Sequence, residues 1–141
     1  MNIVKKRKLF LQEVAKKLAD SRRMTGCAIF ILNKKNNCLK GFCGYPDDMW
    51  PHVTKVSISM EQNAPVVNVV KNKTPIFISN AREDDKTLKW LAQNYNLLSI
   101  LIIPLIDNGI SIGAAMIADS NNIRNFHQSD IEEIMKITEA L

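Results

Sequence analysis

The side chains best equipped for chemistry in this sequence are Cys27, Cys38, Cys43, His52, His127, and Arg82 with the acids Glu83, Asp84 and Asp85 behind it. Acyl transfer or hydrolysis needs a nucleophile, a base and a group that orients the base. Neither histidine neighbours a cysteine. His52, between Pro51 and Val53, is expected at a surface or pocket rim, and His127 at a helix end. The cysteines have no C-x-x-C spacing, cannot all pair within the chain, and lie in or beside apolar stretches, so they are expected to pack as reduced, small hydrophobes. The segment Arg82 to Asp85 lacks the glycine and the alternation of a calcium loop and reads as a solvated turn. None of the five glycines falls into G-x-G-x-x-G or a phosphate loop. No catalytic constellation and no metal site is recognised, and no cofactor is implied. Recognition chemistry remains: Arg82 offers a planar fork suited to carboxylates or oxyanions, and Trp50, His52, Phe77, Trp90, Tyr95 and Ser99 complete the candidate pocket.

The elements that must position these groups follow from periodicity. Val4, Leu11 and Leu18 recur every seven residues with Val14 and Ala15 between them, which predicts an amphipathic helix from about Val4 to Arg23, stopped by Thr25 and Gly26. The run Cys27 to Leu32 predicts a strand buried on both faces. Asn33 to Asn37 has hairpin-loop chemistry, and a second strand follows near Leu39 to Gly44. Tyr45 to His52, with Pro46 and Pro51, reads as an ordered loop. Val56 to Met60 reads as a short strand, Ala64 to Val70 as a short helix, Pro75 to Ser79 as another strand, and Lys86 to Tyr95 as a helix. Asn108-Gly109 between two apolar runs, 99–107 and 110–119, is a strong hairpin signal. Gly113, Ala114 and Ala115 leave room for a helix to approach, and Ile131, Ile134, Met135, Thr138 and Leu141 form the stripe of a last helix after a Ser129–Glu132 capping box.

With 141 residues, 46% hydrophobic and 23% charged, one domain with one sizeable core is expected. It divides into an N-terminal helix at 1–23, a sheet core with a pocket at 24–119, and a C-terminal helical segment at 120–141. The longest apolar run, Leu97 to Ile106, is too short to span a membrane, and no export signal is visible, so a cytoplasmic location is expected. The net charge of +5 invites a nucleic-acid reading. Yet Met1 to Arg23 carries eight basic side chains against Glu13 and Asp20, a net +6, while Asp119 to Leu141 carries five acids against Arg124 and Lys136, a net −3. Opposite charge at the two ends favours helix pairing over nucleic acid or a membrane surface, either of which Lys5 to Lys8 would contact.

Helices packed around an antiparallel sheet make an α+β domain. Ser99, Leu101, Pro104 and Leu105, then Ile112 and Gly113, then Phe126 and Asp130 reproduce in order an S-x-L-x-x-P-L, I-G, F-x-x-x-D pattern. On these residues, and on Lys73 to Ile78 where lysine replaces the usual glycine of G-x-P-I-x-I, the sequence resembles the GAF domain over nearly its whole length. The resemblance implies terminal helices on one face of the sheet and a ligand pocket, roofed by short helices and loops, on the other. It further implies a non-catalytic sensory module of a signalling or transcription-regulatory protein, with an output kinase, cyclase or regulator fused or separate. A homodimer is expected through Val4, Leu11, Val14, Leu18, Ile134, Met135 and Leu141. Cyclic-nucleotide binders carry N-K and D-E where this chain has Ala118-Asp119 and Asp130-Ile131, and bilin binders place a cysteine beside a histidine. An alternative follows from family members that reduce free methionine-R-sulfoxide with cysteines in their pocket loops; here Trp50 to Val70 holds none.

Overall fold

The computed structural model describes residues 3–84 and 89–139. Helix α1 (Ile3–Ser21) leads into β1 (Gly26–Asn33) and β2 (Cys38–Tyr45). Two 3-10 turns, Asp47–Met49 and Val53–Lys55, precede β3 (Ser57–Ser59), α2 (Pro65–Asn72), β4 (Ile76–Ile78) and α3 (Lys89–Asn94). The long hairpin β5 (Ser99–Asp107) and β6 (Ile110–Asp119) and the helix α4 (Gln128–Glu139) complete the chain. The strands form one antiparallel sheet in the order β3-β2-β1-β6-β5-β4. The fold is therefore α+β, with β1 and β6 central and the first and last helices side by side.

Strand alternation sorts the side chains into two cores. Cys27 and Ile29 of β1, Leu101, Ile103 and Leu105 of β5, and Ala115 and Ile117 of β6 meet Leu11, Val14, Ala15 and Leu18 of α1 and Ile131 and Ile134 of α4. Met135 packs against this cluster half-buried, and Leu11, Val14, Leu18 and Ile134, expected on a dimer face, are instead buried here because the sheet face of the same chain covers their stripe. The opposite parity, Ala28, Phe30, Ile100, Ile102, Ala114, Met116 and Ala118, meets Val66, Val67, Val69 and Val70 of α2 and Leu91 and Ala92 of α3. The helix at 64–70 forms despite its β-branching because its valines are buried and Pro65 starts it. The Val4 side chain and Leu141 lie outside the described residues, as does the expected start of the helix at Lys86.

Several local expectations are corrected by the backbone. α1 ends at Ser21, before Thr25 and Gly26. Arg23, at φ 54°, takes the left-handed position, with Met24 N–H donating to Ala19 O (2.8 Å) and Arg23 N–H to Asp20 O (3.2 Å). This paired-bond helix end needs no glycine when an arginine accepts the conformation. Residues 120–127 are a connection and not helix: α4 begins at Gln128, one residue before the expected capping serine, and Asp130 Oδ2 accepts from His127 N–H (2.9 Å). Lys73, where the resemblance calls for glycine, sits at φ 56° and closes α2.

Gly113 answers to its neighbouring strand and not to a helix. A Cβ there would stand 2.1 Å from the Phe30 carbonyl oxygen of β1. Backbone cannot withdraw as a side chain can, so Gly113→Ala is expected to lower unfolding free energy by about 1–3 kcal/mol. Urea denaturation measures it, and a change within about 0.5 kcal/mol, typical of a surface substitution, would show that β1 and β6 part freely.

Candidate functional site

The sheet face away from the terminal helices was expected to leave a guest-sized space, and it does not. The interior between the sheet, α2 and α3 is closed by Val66, Ile78, Leu91, Ile100, Ile102 and Met116 around a cavity of about 10 Å³, room for at most one water. Apolar side chains from both layers fill it. Open space lies instead at the rim, where two clefts flank α3.

On one side, Pro51, His52, Lys55, Trp90, Asn94 and Tyr95 border a cleft of about 440 Å³. Tyr95 lines this cleft, and Trp50 packs on its ring away from the lining, the ring centroids 5.0 Å apart and tilted by 46°. Trp50 Nε1 donates to Tyr45 O (3.1 Å) and Tyr95 Oη to Pro51 O (2.9 Å), so each ring's polar end is satisfied. Burial pushes the Tyr95 hydroxyl pKa up. His52 is exposed with φ 60°, held left-handed at the head of the second 3-10 turn, and Trp90 is 41% exposed. On the other side of α3, Arg82, Lys89, Gln93 and Asn96 rim a second cleft over Ala81, Ala92 and Leu97. Three of the seven residues expected in a pocket, His52, Trp90 and Tyr95, thus border the first cleft, Trp50 is buried in the core against Tyr95, and Arg82 lies at the second.

The remaining two lie elsewhere. Phe77, in β4, faces the terminal-helix side and packs on Phe126 with ring centroids 5.1 Å apart. Ser99 is fully buried; its Oγ donates to Ser79 O and accepts from Arg124 N–H (2.7 Å). It belongs to a polar junction that the sequence reading did not single out. The Arg124 guanidinium donates to Asp119 Oδ2 (3.1 Å), Arg23 O (3.4 Å) and Arg22 O, and lies 5.2 Å over the Phe126 ring. Ser79 Oγ donates to Arg124 O (2.8 Å). Burial alone would raise the Asp119 carboxyl, but the N–H groups of Asn121 and Asn122 and the Arg124 guanidinium outweigh it and hold it below the usual carboxylate range. The sequence signal was an aspartate ending an apolar strand with an arginine five residues on.

Arg22 carries the junction into α4, facing Asp130 (Nε to Oδ1, 3.6 Å) and bonding Glu133. The opposite charges of the two chain ends meet here, though partly exposed pairs of this kind contribute only about 0.2–1 kcal/mol each. The cysteines are buried and unpaired. Burial, then the neighbouring Cys43, pushes the Cys27 thiol well up; burial likewise pushes Cys43 up to about 11, with Lys8 opposing. Among the described residues no three His, Cys, Asp or Glu side chains gather as metal ligands, and no described helix is long and apolar enough to cross a membrane.

A curled antiparallel sheet, two adjoining terminal helices on one face and a short-helix roof on the other define a class of small α+β domains. The GAF domain family model matches residues 7–140. The chain belongs to the GAF domain family. Solved structures agree at the level of fold. A type II free methionine-R-sulfoxide reductase from Thermoplasma acidophilum has TM-score 0.75 at 15% identity, covering 97% of this chain and 90% of that one. The PixJ GAF domain of Thermosynechococcus elongatus, in its blue-light-absorbing form, has TM-score 0.75 at 9% identity, covering 95% and 81%. A domain of a two-component sensor histidine kinase from Sinorhizobium meliloti 1021, termed putative there, has TM-score 0.72 at 15% identity, covering 94% and 86%. No curated protein sequence matches the chain significantly.

Proposed function

We propose that this chain is a non-catalytic sensory module: a small molecule or partner engages the rim clefts beside α3, and the terminal helices, paired with those of a second copy, carry the response to an output component. One observation carries the reading. The Arg124 junction ties the segment after β4, at Ser79, to the end of α1, at Arg22 and Arg23, and through Arg22 to α4. A shift of the β4–α3 loop therefore acts on the bonds that set how the two helices sit. Sensory proteins among the similar folds, a histidine kinase and a photoreceptor, support the reading. The reductase alternative draws on one similar fold. Thiolates are the reactive form of cysteine, and the upward shifts of Cys27 and Cys43 weigh against it.

Pairing of copies is supported by apolar surface that the monomer leaves uncovered. Leu9 and Phe10 of α1 and Ile106 and Ile110 at the hairpin end are exposed, Phe10 by 51% and Ile110 by 54%. Phe10, Ile106 and Ile112 border a groove of about 430 Å³ that also holds Arg7 and Asp107. Native mass spectrometry tests both halves: a dimer retaining a small molecule is expected, with Phe10→Glu monomeric. A wild-type chain that is monomeric and empty at all concentrations would sink the proposal.

A further inference from the structure

We infer that the cleft between the loop after β4 and α3 binds a small organic acid, its carboxylate held by Arg82 and Lys89. The cleft measures about 290 Å³, at the small end of the ~300–1,000 Å³ range of small-molecule sites. Its floor, Ala81, Ala92 and Leu97, is buried and apolar, and its rim is Arg82, Lys89, Gln93 and Asn96. Two cations, Arg82 and Lys89, and two amides, Gln93 and Asn96, make up the polar part of this lining among the described residues.

The cations are held and not loosely splayed. Arg82 Nη2 donates to Asn96 Oδ1 (3.1 Å), one of the five donors of a guanidinium. Lys89 Nζ donates to the carbonyls of Arg82 (3.2 Å) and Asp84 (2.8 Å), clamping the loop to the start of α3. A planar fork and an ammonium at one rim match a carboxylate's two oxygens. Gln93 and Asn96 offer donors and acceptors to a second polar group, and the apolar floor accepts a short hydrocarbon stretch. The site deepens the sensory reading and rests on it only for its consequence: Ala81 N–H donates to Leu98 O (2.7 Å), and Ser79, two residues before, bonds the Arg124 junction.

The test is amide NMR of the full chain titrated with acetate, succinate and glutarate, with dimethyl glutarate and inorganic phosphate as comparison probes. At least one of the three acids is expected to shift the amides of Ala81, Arg82, Gln93 and Asn96 at millimolar concentration, and the uncharged ester is not. The pair Arg82→Gln and Lys89→Gln is expected to weaken that binding at least about tenfold, with the spectrum's dispersion confirming the fold, whereas Lys35→Gln in the β1–β2 turn is expected to leave it unchanged. No response to any acid, a response surviving in the double variant, or an equal response to phosphate overturns the inference. Shifts confined to the cleft, with Arg22 and Ile131 unmoved, uphold the site and overturn the sensory reading.

Discussion

Trp50→Ala is expected to lower unfolding free energy by about 3–5 kcal/mol, a large part of the ~5–15 kcal/mol that holds a domain of this size together. Trp50 is 2% exposed and touches three parts of the chain. Its ring tilts against Tyr95 after α3, and its indole N–H bonds Tyr45 at the end of β2. Its side chain also fills the space that Gly26 and Gly44 leave by lacking a Cβ: a Cβ on Gly44 would come within 2.6 Å of the Trp50 ring. Truncation removes a large apolar body, leaves the Tyr45 carbonyl without its partner and opens a void whose walls are strands and cannot collapse. Trp50→Phe keeps most of the ring but not the N–H, so a smaller loss of about 1–2 kcal/mol is expected. Urea denaturation followed by circular dichroism reads both. If alanine costs under about 1 kcal/mol, the loop at 46–56 is not pinned by this residue and the Tyr95 ring at the first cleft does not depend on it.

Arg124→Met is expected to cost about 2–4 kcal/mol. Removing one partner of a fully buried ion pair costs about 3–5 kcal/mol; Asp119 is fully buried, but the Arg124 side chain is 23% exposed, and water replaces part of what is lost. The variant also withdraws donors from the carbonyls of Arg22 and Arg23 at the end of α1. Adding Asp119→Asn to Arg124→Met is expected to recover at least about 1 kcal/mol, because it removes the uncompensated buried charge; full additivity of the two losses would show that they do not interact. The same pair sets a pH dependence. The Asp119 pKa is depressed in the fold, so its contribution is present above the unfolded value of about 3.9 and is lost as pH falls from there through the folded value. Wild-type stability is expected to drop across that acid window more steeply than that of Asp119→Asn. Equal slopes would place the acid sensitivity on other carboxylates.

Much of the fold was legible because single-residue chemistry and short periods decide it. Asn108 and Gly109 both adopt positive φ, 50° and 79°, as a two-residue hairpin turn requires, and the runs beside them pair as expected. The seven-residue spacing of Leu11 and Leu18 and the period of Ile131 and Ile134 put α1 and α4 on one face. Boundaries were less legible. A glycine near a helix end invites a stop there, but Arg23 ended α1 first, because two backbone bonds repaid the strain of its left-handed conformation.

The site divides along a physical line. Residue types marked which side chains carry groups suited to recognition, and Arg82, His52 and Trp90 are exposed at clefts beside α3. Whether a group faces a cleft, a core or another residue is set by strand parity and by partners far away in the chain, and these only tertiary structure decides. Phe77 went to the helix side because β4 pairs with β5 in the register Phe77 opposite Leu101. Ser99 became a bridge because residues 79 and 124 converge on it from 20 and 25 positions away. The interior pocket closed because valines of α2 and isoleucines of β5 together fill the space between layers, a sum of volumes that no local pattern contains.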